Sequence, residues 1–366
     1  MLDIQKSIER DKLNFDYLDF HNQVEEQEHI AYELGSRKLV ASADEIKFKP
    51  LRGFVRFFRV KKICKENNVK VLHFNYGSPI GFLTMLAAKL GGVKWITFHS
   101  HNGGVTNQGM LGTIVGKMCR PFLNLVVDDY WACSSLAAGF SFPKKISKNN
   151  KYKFIPNGIV LDKFKYSSSI REQVRKELSL EDKYVVGHAG RFNLQKNHEF
   201  LIDIFARIHE KQSNAVLLLF GIGDLQDKIK EKVSSLGLSD CVRFCGASNE
   251  MNRMYQAMDV FLMPSLFEGL PVTGVEAQAA GLPIVFSDTI TKEVAVSPNV
   301  EYISLKESAN KWAEITLEYA DKPRKDYCTE LAEKGFDKDD MVKHFQSYYL
   351  SLNKRVNDIT LKEDNK

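Results

Sequence analysis

From Val69 onward the chain alternates short apolar runs with longer stretches of helical periodicity, and it does so twice over. VKVLHFN (69–75), VKWITFH (93–99) and YWACS (130–134) read as strands, with helical patterns over 79–90 and 110–125 between them. YVVGHAG (184–190), AVLLLFGIG (215–223), CVRFCG (241–246), DVFLMPS (259–265) and PIVFSD (283–288) repeat the scheme with clearer punctuation. Strands joined through helices lie parallel, because each helix carries the chain back to the end of the sheet where the previous strand began, and a parallel sheet needs cover on both faces. The fold class is therefore α/β, and 366 residues suffice for two doubly wound domains. Periodicity lapses in LDKFKYSSS (161–169), which sets the domains at 1–165 and 166–352. The second domain closes with an apolar-periodic helix over 336–350, and 353–366 reads as a frayed tail. The start is unusual for such a fold: the chain begins within a helix (Leu2–Ile8) and runs to FDYLDFH (15–21), so the opening strand and its glycine turn are expected to be missing.

Several function classes are excluded at once. The longest uncharged apolar run, Ala215–Gly223, is nine residues, where a membrane span needs about 20. MLDIQKSIER lacks the basic start and apolar middle of a secretory signal, so the expected location is the cytoplasm. Six cysteines in a chain this long read as free thiols, and Cys241 and Cys245 sit in a strand with no second ligand pair for zinc. Charge is uneven: residues 1–166 carry 25 Lys/Arg against 15 Asp/Glu, and residues 167–366 carry 26 against 31. In RGFVRFFRVKK, Arg52, Arg56 and Arg59 interleave with Phe54, Phe57 and Phe58, a pattern for either a helix on anionic lipid or a solvated helix with buried phenylalanines. No helix-turn-helix, zinc-finger or RNA-recognition signature accompanies the basic residues, so nucleic acid is not expected as a partner.

The most specific feature is PSLFEGLPVTGVEAQAAGLPIVFSD (264–288). Glu268 follows a strand, Gly269 allows a tight loop, and Glu276 lies eight positions on in the next helix. Ligands of open α/β sheets sit outside the carboxyl ends of strands, where the following helix N-terminus attracts phosphate, so Gly269–Thr273 is a candidate cradle. Two glutamates beside a phosphate repel it unless they accept from hydroxyls on the same ligand, and a sugar nucleotide has such hydroxyls. GRFNLQKN (190–197) adds Arg191 and Lys196 around a loop at another strand end, able to neutralise a diphosphate without a metal ion. GIGD (221–224) is a glycine turn or a donor contact, and it lacks the third glycine of a dinucleotide fingerprint. FHSHNGG (98–104) puts His99 and His101 on one strand face, with no third metal ligand evident; His188 reads as packed in its strand.

Together these segments resemble the family 4 retaining glycosyltransferases of the GT-B fold, in the branch that builds bacterial capsular and exopolysaccharides. The carrying motifs are IPNG (155–158), GRF…K (190–196), GIGD (221–224), MYQAMDVFLMPSLFEG (254–269) and the spaced Glu268 and Glu276, over about residues 69–350. The resemblance implies two Rossmann-like domains facing a cleft, and transfer of a sugar from a uridine diphosphate sugar to a lipid-linked saccharide. It also implies retention at the anomeric carbon, no metal, no cofactor beyond the nucleotide-sugar substrate, and peripheral work at the inner face of the plasma membrane on an anionic surface. By the same resemblance His99, Glu268, Arg191 and Lys196 are catalytic. Arg191 and Lys196 hold the diphosphate, Glu268 the donor sugar and Glu276 the ribose, while Gly221, Gly223, Gly269 and Leu270 line the donor. The order E-G-L-P-V-T-G-V-E departs from the commoner E-G-F-G-L-P. Relatives also begin with a central strand and glycine-rich loop that would lie upstream of Met1, so the expectation is an internal start or a truncated product. Two rivals are a sugar-nucleotide epimerase of similar fold and a non-catalytic donor-binding subunit.

Overall fold

The computed structural model describes residues 2–9, 11–21, 26–75, 78–101, 109–320 and 322–364. The chain divides into two compact units, one of Met1–Ile155 with Asp339–Lys366 and one of Pro156–Lys338.

In the second unit, six strands form one parallel sheet: β7 (Tyr184–Ala189), β8 (Ala215–Phe220), β9 (Val242–Gly246), β10 (Val260–Met263), β11 (Ile284–Ser287) and β12 (Val300–Ile303). Before these come β1 (Tyr17–Asp19) to β6 (Lys153–Phe154) of the first unit, described below. The order in the second sheet is β12-β11-β10-β7-β8-β9. Every residue of β8 is buried, as an inner strand with helices on both faces requires. The helix His198–Lys211 buries Leu201, Ile204, Phe205 and Ile208 as its periodicity predicts. Asn197 occupies the N-cap position, at φ 55°, its side chain making no cap bond and Nδ2 donating instead to the Pro264 carbonyl at 3.0 Å. Strand β12 was not foreseen: VEYI is half-polar and lies at the sheet edge.

The first unit holds two parallel sheets. One pairs β1 with β2 (Lys38–Val40); the other runs β3 (Val71–Asn75), β4 (Trp95–Ser100), β5 (Asp129–Ala132), β6. The basic segment forms the helix Lys49–Glu66, which packs on the helix Phe82–Leu90.

Three boundaries differ from the sequence reading. The division falls at Ile155/Pro156 rather than 165/166, because β6 completes the first sheet and Gln256 holds the following segment in the second unit by donating to the Phe164 carbonyl at 3.1 Å. The final helix belongs to the first unit, not the second. Val342, Phe345, Tyr349, Leu352 and Val356 form one apolar stripe packed with Ile4, Ile8, Trp131 and Ile155. The expected tail is helical as well, since the helix runs unbroken over Lys338–Asp364. Leu352 and Val356 continue the stripe past residue 350, and burying them carries the helix on.

Candidate active site

The strand order creates the site of the second unit. From β7 the chain winds outward to β8 and β9, then crosses back to β10 on the other side of β7 and winds outward again. At such a reversal the loops leaving the two neighbouring strands diverge and leave a crevice at their carboxyl ends. Here those loops are Gly190–Asn197 after β7 and Pro264–Pro271 after β10, so the two motifs singled out in the sequence become neighbours.

They are joined closely. Leu266 donates its amide to the Gln195 carbonyl at 2.8 Å, and Gln195 Nε2 donates to the Phe267 carbonyl and to Glu268 Oε2, both at 3.0 Å. Lys196 Nζ stands 2.7 Å from Glu268 Oε1, as an ion pair whose angle is not that of a hydrogen bond. Glu268 is buried, while the Arg191 side chain projects into solvent. Asn193 Oδ1 accepts from the Lys196 amide at 3.2 Å and fixes the turn that presents the lysine. The glycine turn lies beneath. A Cβ on Gly221, whose φ is +136°, would stand 2.1 Å from the Gly190 carbonyl oxygen, and one on Gly223 would stand 2.5 Å from that of Phe192. Both glycines are therefore required by the close approach of two backbones, which holds the Arg191 loop against the turn.

The helix Val272–Ala279 begins where the phosphate cradle is expected, with Gly269 partly exposed and Leu270 buried beside it. Thr273 Oγ1, inside the expected cradle, and Ser265 Oγ, which the sequence reading missed, are buried there with no hydrogen-bond partner among the described residues. Glu276 faces Tyr255, whose hydroxyl donates to Oε2 at 2.8 Å. Burial raises the Glu276 carboxyl above its usual range, and the Tyr255 bond and the charge of Lys163 oppose that rise. Gln195 left no signal in the sequence. Tyr255 left one, because a phenol in an apolar helix needs a partner for its hydroxyl.

His188 packs in its strand as read, its Nδ1 bound to the Leu262 carbonyl at 2.8 Å. In the first unit His99 is 3% exposed, its ring 4.1 Å from that of His101 between centroids, and its Nδ1 lies 3.3 Å from His73 Nε2. His73 in turn meets the Tyr349 hydroxyl from the final helix. Burial holds both rings neutral: His99 is pushed well below its ordinary value and His73 down to about 3, with the neighbouring histidines adding to each shift. His99 Nε2 is buried, and the ring also meets the Ile155 backbone. His73 was overlooked, although a histidine on each of two adjacent strands is the kind of pattern that builds such a cluster. Residues 102–104 of the FHSHNGG motif lie outside the described residues.

The three arginines of the basic helix are partnered within their own unit. Arg52 donates to the Ile46 carbonyl at 2.7 Å, Arg56 pairs with Asp44 at 3.4 Å, and Arg59 binds the Ser42 carbonyl and Glu45. Phe54 and Phe58 point outward instead, 62% and 50% exposed, and Phe57 is half-buried. Among the described residues no helix is long and apolar enough to cross a membrane.

Comparison with known proteins adds to this geometry. Residues 169–335 match the family described as glycosyl transferases group 1, and residues 17–109 match the glycosyl transferase 4-like family. The chain is 31% identical over 345 residues to the putative glycosyltransferase EpsF of Bacillus subtilis, covering 92% of this chain and 88% of that protein. It is 27% identical over 240 residues to the UDP-Gal:alpha-D-GlcNAc-diphosphoundecaprenol alpha-1,3-galactosyltransferase of Escherichia coli, covering 62% and 60% of the two chains. In fold it is similar to Anabaena Alr3699/HepE, solved in complex with UDP and glucose, with a TM-score of 0.67 at 18% identity over 98% of this chain and 94% of that one.

Proposed function

The chain belongs to the glycosyltransferases of the family 4 type, with two Rossmann-like domains of the GT-B class, and from that premise we propose that it moves a sugar from a uridine diphosphate sugar to a lipid-linked saccharide with retention at the anomeric carbon. The observation that carries the reading is the pairing of Lys196 with Glu268 at the sheet reversal, with Arg191 exposed on the same loop and Glu276 on the helix that follows. A cation and a carboxylate held 2.7 Å apart can both be satisfied by one ligand that carries phosphate and vicinal hydroxyls: Lys196 turns to the diphosphate, and Glu268 accepts from the sugar. The Escherichia coli relative, named for a UDP-sugar donor and a diphosphoundecaprenol acceptor, supports a uridine nucleotide and a polyprenyl-linked acceptor here. The bond between the anomeric carbon and the β-phosphate oxygen breaks as the acceptor oxygen bonds to the same face, and the acceptor proton passes to the departing phosphate. Arg191 and Lys196 offset the charge that collects on that phosphate, and this charge compensation is the largest contribution asked of the protein. His99 remains the first unit's candidate residue in this reading, its ring held neutral by burial. The acceptor's lipid would bring the first unit to an anionic membrane surface at the inner face of the plasma membrane, through Phe54 and Phe58 with the exposed Lys62 and Lys65.

The test is to incubate the protein with a panel of nucleotide sugars and an undecaprenyl diphosphate saccharide in excess chelator, and to read the lipid by mass spectrometry and its anomeric configuration by NMR. The expected result is a lipid one sugar longer, with the donor's configuration and free uridine diphosphate formed in step. Interconversion of two sugar nucleotides without acceptor would establish the epimerase instead. Donor binding with no turnover would establish the non-catalytic subunit.

A further inference from the structure

We propose that Tyr255 is a positioning residue for donor binding: its hydroxyl holds Glu276 as an oriented carboxylate whose second oxygen accepts from the vicinal hydroxyls of the donor ribose. The inference rests on the reading of Glu276 as the ribose contact.

Tyr255 is fully buried, its ring edge-on to Phe261 at 5.6 Å and tilted against Phe164 at 6.1 Å. In apolar surroundings of this kind its hydroxyl has one donor to place, and it places it on Glu276 Oε2. A carboxylate accepts at both oxygens, so the bond from Tyr255 occupies one and leaves Oε1, to which no described residue donates. The carboxylate also has to stay ionised to accept from two hydroxyls at once, and burial works against that. A protonated Glu276 would turn one oxygen into a donor and lose the charge that strengthens its hydrogen bonds. The Tyr255 hydroxyl and the nearby Lys163 are the groups that favour the ionised form.

The mounting of Tyr255 is heavier than a short helix needs. The helix Met251–Ala257 ends in four consecutive carbonyls, all held by guanidinium groups. Arg324 donates to the carbonyls of Tyr255 at 2.8 Å and of Gln256 and Met258 at 2.9 Å. Arg171 donates to those of Gln256 at 2.9 Å and Met258 at 2.7 Å, and Arg175 to that of Ala257 at 2.9 Å. Planar forks fix direction as well as distance, so three of them define the height at which the Tyr255 hydroxyl stands. On the same helix Gln256 Nε2 donates to the Phe164 carbonyl at 3.1 Å and the Lys165 carbonyl at 3.2 Å, which ties down the segment bearing Lys163. Arg324, Arg171, Arg175 and Gln256 thus hold the helix that carries the Tyr255 hydroxyl to Glu276, and Gln256 also ties down the segment bearing Lys163.

The test is titration calorimetry of the full chain with uridine diphosphate and with 2′,3′-dideoxyuridine diphosphate, on the wild type, Tyr255→Phe, Glu276→Gln and the double variant. The wild type should prefer the ribonucleotide by about tenfold, the size of one charge-assisted hydrogen bond. Tyr255→Phe should lose most of that preference by weakening the ribonucleotide alone, and should add nothing in the Glu276→Gln background. Equal weakening of both nucleotides by Tyr255→Phe would reduce Tyr255 to packing and overturn the proposal while leaving Glu276 on the ribose. No change in either affinity would overturn it equally. A wild type without preference would remove Glu276 from the ribose and overturn both readings. Arg324→Lys keeps the hydroxyl but removes the planar fork, and should shift the same ratio in the same direction; it carries the test if Tyr255→Phe does not fold.

Discussion

Lys196→Ala separates what the ion pair does for folding from what it does for chemistry. The side chains of Lys196 and Glu268 are only 13% and 8% exposed, so solvent screens their attraction little, and removing the lysine strands a buried carboxylate. Breaking a buried pair in this way costs about 3–5 kcal/mol. Gln195 Nε2 still donates to Glu268 Oε2, and a hydrogen bond to a charged group returns part of that cost, which leaves about 2–3 kcal/mol. For a unit of this size each kcal/mol moves the melting temperature by about 2–4 °C, so scanning calorimetry should show a fall of roughly 5–10 °C. Adding Glu268→Gln removes the stranded charge and should restore most of the melting temperature. Turnover should behave otherwise: Lys196→Ala loses on the order of 10²–10³, as when a charge-stabilising donor is deleted, and the double variant recovers none of it. A melting temperature within about 1 °C of wild type, against the burial cost above, would refute the energetic argument. Recovery of turnover in the double variant would refute the catalytic one.

Arg191→Ala should cost a similar factor in turnover, on the order of 10²–10³, but leave the melting temperature unchanged because the side chain is exposed; a near-normal rate at saturating donor would remove Arg191 from the diphosphate. Acid should destabilise the fold through its buried neutral histidines: burial lowers His73 to about 3 and His198 to about 4, the latter helped by Lys196. Because the unfolded rings titrate near about 6.5, the stability they lend is complete above that pH and is lost as pH falls from there towards their folded values, where the unfolded chain binds protons the folded chain refuses. Urea midpoints measured from pH 7 to 4.5 should fall less steeply in His198→Phe, and an unchanged slope would contradict the assignment. Phe54→Ser with Phe58→Ser should abolish co-sedimentation with anionic vesicles, whereas Arg52, Arg56 and Arg59 changed together to glutamine should mainly destabilise the 42–46 loop they bind; unaltered co-sedimentation of the phenylalanine variant would exclude that face.

Local pattern carried most of the second unit. Strands such as AVLLLFGIG and helices such as His198–Lys211 are legible because burial on two faces or on one stripe writes itself into the order of apolar residues. The residue types at Arg191, Lys196, Glu268 and Glu276 were equally legible, since the first three follow strand ends and Glu276 lies on the helix that comes next, where ligands of such sheets sit. Strand order lies beyond such patterns: only the sheet puts β7 beside β10 and so brings Lys196 against Glu268, 72 residues away in the chain. The arginines of RGFVRFFRVKK looked free because their partners, Ile46, Asp44, Ser42 and Glu45, sit in a loop with no periodicity of its own. Tyr255 was visible as an aromatic and invisible as a partner of Glu276, for a hydrogen bond across 21 residues depends on where two helices stop. The final helix makes the same point at larger scale. Its stripe of Val342, Phe345, Tyr349, Leu352 and Val356 is apolar in either unit, and sequence order alone assigns it to the nearer one. Only the shape of the surface it buries, formed by Ile4, Ile8, Trp131 and Ile155, assigns it to the unit in which the chain began.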